Sequence, residues 1–565
     1  MVDICCPLTY ENAFDGDVSS NDKKIKILTD CLKNLNRNES IIKCSQINFA
    51  LFKNPDAINK QLTTYFPPSS IKRINWFISK QKKRNISADF VAFWRGQMTN
   101  IIFYILQHCP SKGGYKLTDA DFSENFSKSA LLIGELLNNE DTEGQYSNTG
   151  DLFNDCIKSL PAVKHGLENT NHISQDLLFN QIYRGYNIFV ELLTKKTVPN
   201  NNSITFDQYF LKHFKISLCD CYLYILALIT HLIYNEQSQN NFLINRETFY
   251  KNIISIEVRK DFAQLIESLS QTICQLKKQI HNTSEIKQQK IDFKRLLRAK
   301  PIIKLPKNLS VISDVTYLVD DFVSKGLLFF LSKLPETKGV HTIHGECFED
   351  YVCTLLEKRH KSGKFQQKRT LFPNNQKNTL EVDAIVELDD NIKVIYEIKS
   401  VLINESKHLT KEIQEKYLIN NNIKKDSAII QLRKRIEYFR NSTSTIYPVL
   451  IVEDRFISKC EFWFKSELEN QLASSSLETE KMKVYPLIII SVETLELLPI
   501  TVDLFSILKE YHNGMFSELN IGANFGDYIS SAHYKHGTYT SPEAVELSNK
   551  LLLSIKEKMF KTAIS

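Results

Sequence analysis

Between Leu380 and Ser400 the chain reads LEVDAIVELDDNIKVIYEIKS, and Asp383, Glu397 and Lys399 stand there among residues otherwise suited to a core. Successive side chains of a strand alternate faces, so Glu397 and Lys399 share one face while Val394, Tyr396 and Ile398 share the other. Asp389-Asp390-Asn391 supplies turn formers and predicts an antiparallel hairpin, which carries Asp383 to the same end of that face. Two carboxylates and an ammonium brought together can hold a hard divalent cation and orient a water beside a phosphate. The same residues can equally make an ordinary ion pair on a solvated sheet face.

The neighbouring segments decide what positions this cluster. Upstream, HGECFEDYVCTLLEKR from His344 to Arg359 puts Phe348, Val352 and Leu355 on one helical stripe. Glu349 lies beside that stripe and so borders the buried side, with Glu346, one turn earlier, as the competing acid. Downstream, SAIIQLRKRIEYFRNS from Ser427 to Ser442 has a core stripe of Ile429, Leu432, Ile436 and Phe439, which leaves Gln431 and Arg435 aligned on a flank.

The ordered set GECFEDYV, EVDAIV and YEIKS resembles the PD-(D/E)xK, restriction-endonuclease-like nuclease superfamily, over Gly345 to Asp454, about a fifth of the chain. The resemblance places Asp383 at the Asp position, Glu397 and Lys399 at the acidic and lysine positions, and Glu349 at the acidic position of the first helix. Val382 stands where the signature has proline. The resemblance implies an αβββαβ domain with a mixed central sheet and a Mg²⁺-dependent phosphodiesterase, Mn²⁺ substituting. Asp383, Glu397, Glu349 and the main-chain carbonyl of Ile398 would hold the metal, and Lys399 would sit beside its water. Gln431, or in second place Arg435, would contact the scissile phosphate. DNA is favoured over RNA on the same ground. The alternative is a catalytically silent nucleic-acid-binding or assembly component of a mobile-element or phage-defence system.

Other chemistries find less support. The 13 histidines form no HExxH and offer no convincing partner for a Cys or Ser nucleophile, which speaks against zinc hydrolysis and triad catalysis. GGYK at Gly113 and SGKF at Ser362 lack the leading glycine and following Ser/Thr of a phosphate-cradling loop. The 12 cysteines show no pairs at zinc-site spacing and read as reduced, mostly buried thiols.

A chain of 565 residues calls for several units, and its 42% hydrophobic and 24% charged content is that of a globular protein. Helical spacing dominates from about residue 20 to about 335, including FAQLIESLSQTICQL from Phe262 to Leu276. The Asn-rich VPNNNS from Val198 to Ser203 reads as a loop and subdomain boundary. The expected division is a helical region over 1–200, a second over 201–335 possibly continuous with it, the nuclease-like α+β domain over 336–510, and a C-terminal loop and helix over 511–565. The domain's first helix is expected from Glu346 to His360.

A net charge of +6 is weak for this length, so polyanion affinity must come from local clusters. Three are present: Ile71 to Asn85, Lys287 to Lys307 and Glu357 to Arg369, the last following the helix of Glu349. The expected partners are nucleic acid, a protein engaged through the helical region, and a second copy of the chain, since cutting two strands takes two such sites. No secretory leader opens the sequence and LCDCYLYILALITHLIY from Leu218 to Tyr234 reads as a buried helix, so a cytoplasmic protein without a membrane span is expected.

Overall fold

The computed structural model describes residues 5–560 apart from 17, 54–64, 83–88, 143–174, 235–241, 248, 252, 254, 281–285, 326–327, 333, 335–336, 338, 372–379, 389–390, 401–412, 419–425, 441, 454, 459–460, 475–481, 516–523 and 531–540. The turn formers Asp389 and Asp390 therefore lie outside the described residues, as does much of the segment between Ser400 and Asp426.

The N-terminal part is mainly helical. Helices Arg95–His108 and Ala120–Thr142 bury Ile101, Phe103, Ile105, Phe126 and Leu132 in one core. Leu218–Tyr234 is apolar nearly all round and is a helix enclosed by protein, as such a surface requires. No single described helix is long and apolar enough to cross a membrane. The closing helix, Pro542–Phe560, has Ser541 at its start accepting the Ala544 N–H, and its Lys558 pairs with Asp220 of Leu218–Tyr234.

Two expectations for this part need correction. Phe262 to Leu276 is not one helix: the strand Ser270–Thr272 separates Ile256–Ser268 from Ile273–Ile280. The strand forms because the buried Gln271 donates to the carbonyls of Leu296 and Lys300 and its backbone pairs with Ile302–Lys304, a tertiary demand that helical periodicity does not register. It belongs to a 4-stranded sheet inside the region read as helical. Val198 to Ser203 is likewise no linker, since Thr197–Val198 and Asn201–Thr205 pair as an antiparallel hairpin.

The C-terminal part begins with α1 (Val340–Arg359), followed by β1 (Lys364–Leu371), β2 (Leu380–Glu387), β3 (Ile392–Lys399), α2 (Ala428–Tyr438) and β4 (Thr445–Val452). Beyond β4 come α3 (Glu461–Ser474), β5 (Lys483–Val484), β6 (Ile488–Ser491) and α4 (Val492–Leu497). The sheet order is β5-β4-β3-β2-β1, with β6 also on β4. It is mixed: β2 runs antiparallel to both β1 and β3, whereas β4 is parallel to β3, β5 and β6.

α1 starts at Val340, six residues before Glu346, because Val340 and His344 are buried and so belong to the packed helix rather than to a connecting loop. Gly345 looks like a helix stop in the sequence but serves close packing: a Cβ there would stand 3.1 Å from Ser400 Oγ, at the end of β3.

The two sides of the sheet fill two cores. Ala384, Val386, Val394, Tyr396 and Ile398 pack with Phe348 and Val352 of α1 in a core that continues into Leu218–Tyr234. Ile385, Ile395 and Leu450 pack with Ile429, Leu432 and Ile436 of α2. A strand covered on both faces reads as a near-continuous apolar run, which is why Glu397 stands out in β3.

Candidate functional site

The hairpin ladder between β2 and β3 runs from Glu387 opposite Lys393 to Ala384 opposite Tyr396 and ends there. One residue further the Asp383 carboxylate takes over the bonding, its Oδ2 accepting the Ile398 N–H at 2.7 Å. On its other side β2 pairs with β1 at Val382–Arg369 and Ala384–Gln367, but Asp383 and Lys368 between them are not partners. Lys368 has φ +48°, the left-handed region. The strands thus part around Asp383, and its side chain bridges the opening.

Into that opening Glu397 projects from β3, fully buried, and pairs with Lys399 and Arg435. Arg435, expected on a helix flank, is only 6% exposed. Its Nη2 donates to Asp383 Oδ1 at 2.9 Å, its Nε to the Glu381 carbonyl at 2.8 Å, and its Nη1 faces Glu397. One guanidinium therefore spans both acids. Two buried carboxylates without a counter-charge would carry a heavy desolvation cost, and Arg435 supplies the counter-charge.

Lys399 donates to Gln431 Oε1 at 3.2 Å, and the Gln431 amide is held in turn by the Asp426 carbonyl at 2.6 Å. Burial lowers the pKa of the Lys399 ammonium, against the pull of Asp383 and Glu349. Asp383, Glu397, Lys399 and Gln431 are thereby brought together at the ends of β2, β3 and α2.

Glu349 approaches from α1. Its Oε1 is buried and accepts no hydrogen bond among the described residues, and the nearest cation is Lys368 at 3.7 Å, which is bonded more closely to Asp350 at 2.8 Å. Burial pushes the Glu349 carboxyl up to about 7; Asp383 and Asp350 push the same way, Lys368 and Lys399 the other. Glu346 is turned elsewhere, pairing at 3.2 Å with Lys196 of the helical region. Ile398, expected to offer its carbonyl, is buried in β3 with its N–H engaged by Asp383.

Lys368 stands out in the sequence only as part of the basic cluster Glu357 to Arg369, with nothing to place it beside Glu349. The buried pair of His344 with Glu453, at 3.0 Å, was also missed; it ties α1 to the end of β4.

No family model, curated protein or solved structure matches the chain.

Asp383, Glu397 and the unpartnered Oε1 of Glu349 are the donor types a hard divalent cation takes. Their arrangement is another matter: the space between Asp383 and Glu397 holds Arg435, and among the described residues no three His, Cys, Asp or Glu side chains are disposed to hold a metal ion. As arranged, these residues hold a guanidinium and do not fit a metal.

Proposed function

We propose that the C-terminal part is a nucleic-acid phosphodiesterase of the PD-(D/E)xK, restriction-endonuclease-like type, acting on DNA in preference to RNA. The observation that carries this reading is the meeting of Asp383, Glu397 and Lys399 where two strands part. Lys399, held by Glu397 and Gln431, places a positive charge where a phosphate would lie, and Gln431 fixes its direction. Mg²⁺, or Mn²⁺ in its place, belongs to the proposal as the expected activator. The helical region would select substrate or a protein partner, and a second copy of the chain would supply the second cut of a duplex.

A second reading has an observation of its own. Arg435 neutralises Asp383 and Glu397 from within, which suits a silent nucleic-acid-binding or assembly component of a mobile-element or phage-defence system. The test is to incubate the protein with linear, circular and single-stranded DNA and with RNA, in Mg²⁺ or Mn²⁺, beside Asp383→Ala. Metal-dependent nicking or degradation lost in the variant supports the enzyme. An inert wild type that carries a stable partner supports the silent component, and equal activity in both proteins places the cleavage elsewhere.

A further inference from the structure

We infer that the exposed face of the helix Pro68–Lys82 is a docking surface for single-stranded DNA, on which the Trp76 indole stacks one base while Lys72 and Lys80 meet the phosphates on either side. The inference rests on the nucleic-acid reading above and names where the helical region would hold the strand.

The helix divides into two faces. Ile74 is fully buried, and Ile71, Phe77 and Ile78 pack partly buried against the same N-terminal core. On the other side Lys72, Trp76 and Lys80 recur every fourth residue, a row that rises about 6 Å per step at roughly 1.5 Å per residue. All three are exposed, Trp76 by 63%, whereas Trp94 of the core is only 5% exposed.

The charges on this face are free to meet a polyanion. The helix carries no Asp or Glu. Arg73, at the edge of the face, is held by Asp15 and donates to the Glu11 carbonyl at 3.0 Å. Lys72 makes no ion pair or hydrogen bond among the described residues. The Lys80 ammonium stands 4.9 Å from the Trp76 ring centroid and is the indole's sole ring or cation contact among those residues, so the exposed ring has surface left for a base.

An aromatic ring between lysines suits a strand whose bases can stack on protein, whereas in a duplex the base faces are already covered. A basic helix bearing tryptophan can also lie on an anionic lipid surface, but that takes a whole apolar face turned outward. Here Ile71, Ile74, Phe77 and Ile78 are committed to the core, and Asn75 and Ser79 beside the row are polar. The single indole leaves too little apolar area for a membrane and enough for one base.

The test uses the full chain in chelator, which keeps a metal-dependent cleavage step silent, as wild type, Trp76→Ala, Trp76→Phe and the double variant Lys72→Gln with Lys80→Gln. Melting checks folding. Fluorescence anisotropy measures affinity for labelled oligo-dT, oligo-U and a DNA duplex of the same length, and sedimentation measures binding to vesicles of phosphatidylglycerol and phosphatidylcholine. Wild type is expected to favour oligo-dT. Trp76→Ala should bind it about tenfold more weakly, the usual size of one base stack, and Trp76→Phe should keep most of the affinity. The double lysine variant should lower the salt slope by about 1.4, at roughly 0.7 for each phosphate met on a single strand. Wild-type affinity in Trp76→Ala, or tighter binding of duplex or oligo-U by wild type, overturns the inference and leaves the enzyme reading to its own cleavage assay. A wild type that binds no oligonucleotide overturns it as well, and vesicle binding lost in Trp76→Ala would then assign the face to lipid.

Discussion

The Asp383 carboxylate stands in for a missing rung of the sheet, accepting the Ile398 N–H at 2.7 Å just where the β2–β3 ladder stops. This one contact joins fold and chemistry, because it holds the strands apart and fixes the acid at the mouth of the gap. Asp383→Ala leaves that buried N–H without a partner and Arg435 half-paired, and is expected to lower stability by about 1–3 kcal/mol. Urea unfolding checks this. A variant as stable as wild type would show that the bond contributes nothing to the fold.

Lys368 has a left-handed backbone inside a strand, whereas the other described non-glycine residues with positive φ, Lys215, Lys307 and Asn308, lie at a helix end or in a turn. Such a conformation costs a residue with a Cβ roughly 1–2 kcal/mol and glycine almost nothing. Lys368→Gly should therefore be more stable than Lys368→Ala by about 1 kcal/mol in denaturant unfolding. Both should lower the salt slope of DNA affinity by about one unit, if measured without metal by fluorescence anisotropy across a salt series. A wild-type slope in both variants would show that Lys368 contacts no phosphate.

His360, at the end of α1, is buried and shares a 2.6 Å hydrogen bond with the Tyr396 hydroxyl. Burial pushes its pKa down to about 4 from an ordinary 6.5, against the pull of Asp503. The folded pKa lies below the unfolded one, so the contribution to stability is complete above pH 6.5 and is lost as pH falls towards about 4. Wild type should lose stability relative to His360→Gln across that window, by as much as about 1.4 kcal/mol per pH unit. Unfolding curves that run parallel for the two proteins between those pH values would contradict it.

The parts of the fold that were legible in the sequence are those governed by local pattern. β2 and β3 appear where alternation and turn residues place them, and the buried stripe of α2 is the one its spacing gives. The start of α1 was hidden by Gly345, whose role depends on the distance to Ser400, a fact of tertiary packing. The strands Leu243–Asn245, Ser270–Thr272, Ile302–Lys304 and Leu309–Ile312 are too short for a period to emerge, and the first two pair with Leu309–Ile312 and Ile302–Lys304, distant in the chain.

For the candidate site, residue types and strand faces were legible and the cationic counterpart was not. The face shared by Glu397 and Lys399 follows from alternation alone. Arg435 was legible as a flank residue and second candidate for the scissile phosphate; that its guanidinium instead pairs inward with Asp383 and Glu397 depends on the gap opened at Asp383, which no helical pattern encodes. The same gap explains why Lys368 carried so little signal.

The claim on which the rest stands is that Lys399, beside Glu397 and Asp383, does chemistry. The direct measurement is the rate at which wild type and Lys399→Ala cleave one end-labelled DNA duplex at saturating Mn²⁺, with folding of both checked by melting. Wild type is expected to cut and Lys399→Ala to be slower by about a hundredfold or more, the usual size of a positioned proton-transfer group. Equal rates in two folded proteins would contradict it.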